Sequence, residues 1–189
     1  MELEPLSAEV RASVCDRLEH CFDLMMEAVE YRLDVIKNHD VRQFDLVPVA
    51  DYQSIRIYTS DVDKIRRLLS GMGSQLAYVS FIGQHRPGVM DAVEATDLAL
   101  IGNSPKESPI LGYFSLQDPK LAWINLVLFD DLDVVARWVS ATRHADDWAK
   151  AAAFFTGIEK SIGHFDYSDR RVQLDPMRFI IRDYDAVPS

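Results

Sequence analysis

The chain has 189 residues, 48% of them apolar and 26% charged, a composition that suits one sizeable globular domain, with room for an appended element. Its formal net charge of −10 argues against nucleic acid as the main partner, because binding phosphates needs clustered Lys and Arg. A local basic patch, for example around Arg170-Arg171, leaves room for a limited contact of that kind. The acidic opening, Met-Glu-Leu-Glu-Pro, lacks the basic-then-apolar layout of a signal peptide. The longest apolar stretch, Leu121–Phe129 interrupted by Asn125, is too short to span a bilayer as a helix. The expectation is therefore a cytoplasmic protein without a membrane partner. Cys15 and Cys21 lie six apart in a predicted helix, a separation that favours neither a disulfide nor a metal pair.

Taken in chain order, residues 1–40 read as a helical extension and residues 41–189 as the main domain. Ser7 is placed to cap a helix, with Glu9 in its first turn. Val10, Val14, Leu18, Cys21, Met25, Ala28 and Val35 recur in steps of mostly three and four, which predicts one long helix to Ile36 or two shorter ones. Residues 41–50 look like a linker. Tyr52–Tyr58 reads as a strand, Ser60 as the cap of a short helix ending at Gly71, and Gln75–Ile82 as the next strand. Residues 83–109 are rich in breakers at both flanks and read as an irregular insertion, either a solvated loop or a lid. His85-Arg86, at the end of a strand, is placed to bind an anion. The glycines there match neither a dinucleotide fingerprint nor a P-loop.

The stretch from Ile110 to Lys150 organises the rest. Two apolar runs joined by a turn at Pro119 predict a hairpin, and Asp130 or Asp131 then caps a helix. In that helix Leu132, Val135, Ala136 and Val139 form one stripe. On the strand Leu121–Phe129, Trp123, Asn125, Val127 and Phe129 share one face and Ala122, Ile124, Leu126 and Leu128 the other. Both faces are largely apolar, so the strand is central, and Asn125 needs either a structural hydrogen-bond partner or a ligand. His144 stands beside Asp146 and Asp147 without a third ligand at a recognised interval, so the cluster is not a metal signature. As a lone helical histidine it is either a surface group, a general base or a haem ligand. Gly157 and Gly163 mark a helix break, and His164–Tyr167 and Met177–Tyr184 read as closing strands. The order predicts an α+β fold of the ferredoxin-like kind, an antiparallel sheet with helices on one face, plus the N-terminal helix.

The run from Asn125 through Leu-Val-Leu-Phe-Asp-Asp-Leu-Asp-Val-Val-Ala-Arg to Trp138, followed by Ser140 and His144-Ala145, resembles the third strand and second helix of dimeric α+β-barrel proteins. That superfamily includes antibiotic-biosynthesis and haem-degrading monooxygenases. The resemblance covers about 30 residues. It implies a homodimer and a monooxygenase, cofactor-free or haem-linked, acting on a small flat apolar or aromatic molecule. It further implies His144 as base or axial iron ligand, Asn125 as the group that holds or polarises a substrate oxygen, and Trp123, Trp138 and Tyr113 as stacking surface. Two further classes stay open. One is a non-catalytic ligand-binding or regulatory barrel, favoured where the polar residues facing the pocket bond only to one another. The other is a structural or interaction subunit.

Overall fold

The computed structural model describes residues 7–36, 45–49, 52–58, 75–102, 109–118, 122–141, 151–175 and 179–185. Helix α1 runs Ala8–Ile36 and strands β1 and β2 are Asp45–Val49 and Tyr52–Tyr58. Strand β3 (Gln75–His85) is followed by helix α2 (Met90–Gly102) and by the hairpin of β4 (Gly112–Asp118) and β5 (Ala122–Phe129). Helix α3 (Leu132–Ala141), the helical residues 151–154 and strands β6 (Phe155–Asp166), β7 (Arg171–Leu174) and β8 (Ile180–Asp183) complete the chain. No helix among the described residues is long and apolar enough to cross a membrane.

The strands form one α+β sheet in the order β1-β2-β4-β5-β3-β6-β7, with β8 also on β6, and every pairing is antiparallel. Following those pairings, β3 and β4 run parallel with β5 between them, and β5 and β6 run parallel with β3 between them. The passages β3–α2–β4 and β5–α3–β6 are thus interlocked strand–helix–strand units. By the same pairings β2 and β3 run antiparallel, so Tyr52–Tyr58 and Gln75–Ile82 are not the two parallel strands of one such unit. The helix expected between them, over 60–70, lies outside the described residues, as does Pro119.

Local chemistry explains most element ends. Ser7 Oγ accepts the Val10 N–H at 3.2 Å and caps α1. Asp131 Oδ1 accepts the Val134 N–H at 2.8 Å and caps α3. Residues 41–50 were expected as a linker, but Asp45–Val49 pairs as an edge strand. Pro48 sits where its register with β2 slips, between Val47 and Val49, a place where a missing N–H costs no ladder bond. Residues 83–109, expected to be irregular, hold the end of β3 and the whole of α2. The expected helix break at Gly157 and Gly163 is instead the continuous strand β6. A Cβ on Gly163 would lie 2.0 Å from the carbonyl oxygen of Gln173, so only glycine lets β7 approach there.

The two faces of the sheet carry different covers. Val14, Leu18, Cys21, Phe22 and Met25 of α1 pack on Leu76, Tyr78, Ile82, Phe114, Leu126 and Phe165. Phe22 stacks on Phe165 with ring centres 3.8 Å apart and planes 2° apart. Ion pairs Arg17–Glu159, Asp23–Arg170 and Glu19–Arg171 fasten the helix. Glu19 Oε1 also accepts the Val172 N–H at 3.0 Å, occupying a backbone donor of the short strand β7. The opposite face carries α2 and α3. Leu132, Val134, Val135 and Trp138 pack on Ala77, Val79, Val127, Phe129 and Ile162, while Val93 packs on Trp123, Phe155 and Ile158.

Candidate functional site

A polar seam crosses the α2/α3 face between its two apolar clusters. Backbone register sets one row as Ser115, Asn125, Phe81 and Lys160, contributed by β4, β5, β3 and β6 in turn. The row on one side is Tyr113, Val127, Val79 and Ile162. The row on the other is Gln117, Trp123, Gly83 and Ile158. Antiparallel partners project to the same face, so each row stands as a line of side chains beneath the helices.

Asp97 descends onto this seam from α2 and is 2% exposed. Tyr113 Oη donates to Asp97 Oδ1 at 2.7 Å, and Ser115 Oγ donates to Asp97 Oδ2 at 2.6 Å. Asn125 Nδ2 donates to Tyr113 Oη at 2.8 Å. The directions follow from proton supply. Burial, then the charge and hydrogen bond of Asp97, push the Tyr113 phenol well above its ordinary pKa, and Ser115 offsets a little of this. The phenol therefore keeps its proton and gives it to Asp97. Its oxygen can then only accept, so the Asn125 amide must turn its NH2 toward it. Asn125 Oδ1 is left pointing elsewhere, buried, and accepts no hydrogen bond among the described residues. Farther along the row, burial pulls the Lys160 ammonium below its ordinary pKa.

The expected site residues separate on this frame. Asn125 and Tyr113 are in direct contact. Trp123 is next to Asn125 on the same face of β5, but it is buried in the cluster of Val93, Ala151, Phe155 and Ile158. Trp138 belongs to the other cluster, tilted on Phe129 with ring centres 5.2 Å apart. The two indoles thus lie on opposite sides of the seam, Trp123 buried and Trp138 partly buried, and do not form one stacking slot. His144 lies outside the described residues, as do Asp146 and Asp147. His85 is buried, with Nδ1 3.2 Å from the Arg86 carbonyl oxygen. Arg86 is engaged with Asp185 at 2.6 Å and with the Ala152 carbonyl at 3.2 Å. It clamps the end of β3 to the chain after β8, so the guanidinium expected to bind an anion is already taken up.

Asp97 is the residue that sequence reasoning missed. Its signal was the spacing of Val93 and Asp97, which places an acid one turn after an apolar residue on the same side of a helix. The sequence suggests a helical turn or two over Val89–Ala95 and a short strand over Leu98–Ile101, and the structure has one continuous helix through both. Among the described residues, no group of three His, Cys, Asp or Glu side chains is placed to hold a metal ion. Comparison with known families, with characterised proteins and with solved structures finds no match for this chain.

Proposed function

We propose that this protein is a small-molecule binding module whose recognition group is Asn125 Oδ1. One observation carries the reading. In the seam of Asp97, Tyr113, Ser115 and Asn125, each hydrogen bond fixes the next, and the sequence of bonds ends on an amide oxygen with no donor. Leaving such an atom buried and unpaired costs about 1–3 kcal/mol, a cost that a ligand N–H or O–H removes. The apolar clusters on either side suit a flat, largely apolar body attached to that donor. The ionisable groups Asp97 and Tyr113 are bonded to each other, which favours binding over acid–base chemistry.

For the fold, the strand order β4-β5-β3-β6 with its two interlocked passages supports a ferredoxin-like reading. A two-subunit barrel closes on the bare face of such sheets. Here α1 fills that face with Phe22, Leu18 and Met25, so we propose that the helix takes the place of a second sheet.

The direct test is a matched pair of probes, 2-naphthol and 2-methoxynaphthalene, followed by ligand-observed NMR. They share an aromatic body, and only the naphthol donates. Naphthol binding about tenfold tighter or more, with the preference lost in Asn125→Leu, is the expected result. Equal binding of the pair would defeat the assignment. The monooxygenase alternative rests on the resemblance and on His144. The seam offers carboxylate, hydroxyl and amide groups and no imidazole or thiolate, so these residues do not fit a haem iron. A Soret band on hemin titration that disappears in His144→Ala would displace the binding reading.

A further inference from the structure

Solvent reaches the sheet along the row that holds Asn125. Every residue of β5 is buried except Asn125, and from Leu76 to Gly83 of β3 every residue is buried except Phe81. Lys160 of β6 and Ile180 of β8, the next two partners in register, are partly exposed as well. The flanking rows are closed: both the line from Val127 to Ile162 and the line from Trp123 to Ile158 are buried. The partly exposed positions therefore trace a trough that crosses β5, β3 and β6 and comes out at β8.

The two ends of this trough differ in charge. At the inner end Ser115 and Asp97 are buried, and the Asp97 carboxylate already holds two hydroxyls. Asn125 Oδ1 stands at that end as an acceptor, and the negative charge of Asp97 repels any anion brought beside it. The middle is apolar. Phe81 is propped edge-on against Phe155, with ring centres 5.2 Å apart and planes at 69°. Toward the outer end comes Lys160, between Ile158 and Ile162 on the same face of β6. Its stem can lie on that apolar surface while the ammonium reaches toward water. An ammonium has three N–H donors, so a bond that it already makes leaves others for a ligand. Lys160 is two strand spacings from Asn125, about 10 Å at the backbone.

We propose that the ligand of the seam is a flat aromatic carboxylate with a neutral hydroxyl at its far end. The inference rests on the reading of Asn125 as a recognition group and adds the second anchor. The hydroxyl gives its proton to Asn125 Oδ1, the ring lies over Phe81, and the carboxylate meets Lys160. Asp97 sets the orientation, because the reverse placement would bring two carboxylates together. The span sets the class: the two polar groups must sit at opposite ends of a rigid body, not on neighbouring carbons.

The test uses the full chain and three probes: 2-naphthol, 6-hydroxy-2-naphthoate and 3-hydroxy-2-naphthoate. The first lacks the carboxylate, the second carries it across the ring system, and the third carries it beside the hydroxyl. The 6-hydroxy acid is expected to displace 2-naphthol and to bind about tenfold tighter or more, as a charge-assisted hydrogen bond supplies. Added salt should shrink that gain. The 3-hydroxy acid should show no gain, and Lys160→Met should remove the advantage of the 6-hydroxy acid. An acid no tighter than 2-naphthol, an equal gain for both isomers, or a gain that survives Lys160→Met would each overturn the proposal. The Asn125 reading would outlive those results as long as 2-naphthol still binds more tightly than 2-methoxynaphthalene. Equal binding of that neutral pair would remove the hydroxyl anchor and overturn both.

Discussion

Removing one oxygen atom tests the seam most sharply. In Tyr113→Phe the ring, its burial and its neighbours stay, and only Oη goes. That atom makes two hydrogen bonds, one to the Asp97 carboxylate at 2.7 Å and one from Asn125 Nδ2 at 2.8 Å. Asp97 loses a charge-assisted bond, worth about 1.5–3 kcal/mol when buried, but keeps Ser115. Asn125 loses the partner of its NH2, and its carbonyl has none to replace it, which costs about 1–2 kcal/mol. The sum is a destabilisation of about 3 kcal/mol, a large share of the roughly 5–15 kcal/mol that holds a domain of this size. Urea unfolding measures it, with an unchanged denaturant slope showing that only stability moved. Ser115→Ala should cost less alone and combine non-additively with Tyr113→Phe, because both hydroxyls serve one carboxylate. A loss below about 1 kcal/mol for Tyr113→Phe would mean that Asp97 and Asn125 re-pair easily, and the ordered seam would not exist.

Four further outcomes follow from other parts of the molecule. Gly163→Ala should weaken the β6–β7 pairing severely, by upwards of about 2 kcal/mol in chemical unfolding, because the new Cβ meets the Gln173 carbonyl at 2.0 Å; Gly157→Ala, whose Cβ would stand 3.4 Å from the Arg182 carbonyl, should be mild. Phe22→Ala removes the ring stacked on Phe165 and should cost about 3–5 kcal/mol, and an unchanged melting curve would show that α1 does not cover the sheet in solution. Lys160 has a folded-state pKa below its ordinary 10.5, so the native state binds fewer protons than the unfolded chain between those two values. Stability should rise with pH across that window, and Lys160→Met should abolish the rise. Glu159 has a folded-state pKa above its ordinary 4.5, so the native state binds more protons in its window. Stability should fall as pH climbs from 4.5 to the raised value, and Glu159→Gln should flatten that fall.

Helix α1, the β4–β5 hairpin and the cap of α3 were legible because each announces itself locally. Ser7 and Asp131 supply side-chain acceptors at helix starts, and the alternation along β5 places Asn125 on one face and Leu126 on the other. Helix α2 was legible only as a turn or two over Val89–Ala95, and its second half read as a short strand. Gly83, Pro87 and Gly88 precede it, Asn103 and Pro105 follow it, and its apolar residues surround the axis rather than forming a stripe. Strand β6 was hidden for a different reason. Gly157 and Gly163 read as breaks within a segment, but Gly163 is glycine because the Gln173 backbone passes close by, a contact that no local window contains. The site was half legible. Face parity singled out Asn125, and Tyr113 entered only as stacking surface implied by the resemblance, while Asp97 joins them only through the packing of α2, 28 residues before Asn125 in the chain.

The seam carries more polarity than the fold needs. Asp97, Tyr113 and Ser115 already fix α2 over β4 with two short hydrogen bonds. If its purpose were only to orient the helix, position 125 could be leucine, like Leu126 and Leu128 on the other face of β5, and would leave no amide oxygen to satisfy. Asn125→Leu should then be neutral or mildly stabilising in unfolding experiments, because it trades one hydrogen bond for the removal of a buried, unpaired carbonyl. A position where the native residue is no better for folding than an apolar replacement is one retained for something other than folding. Here that something has a direction and a chemistry: an acceptor held rigid by Tyr113, facing whatever brings it a proton.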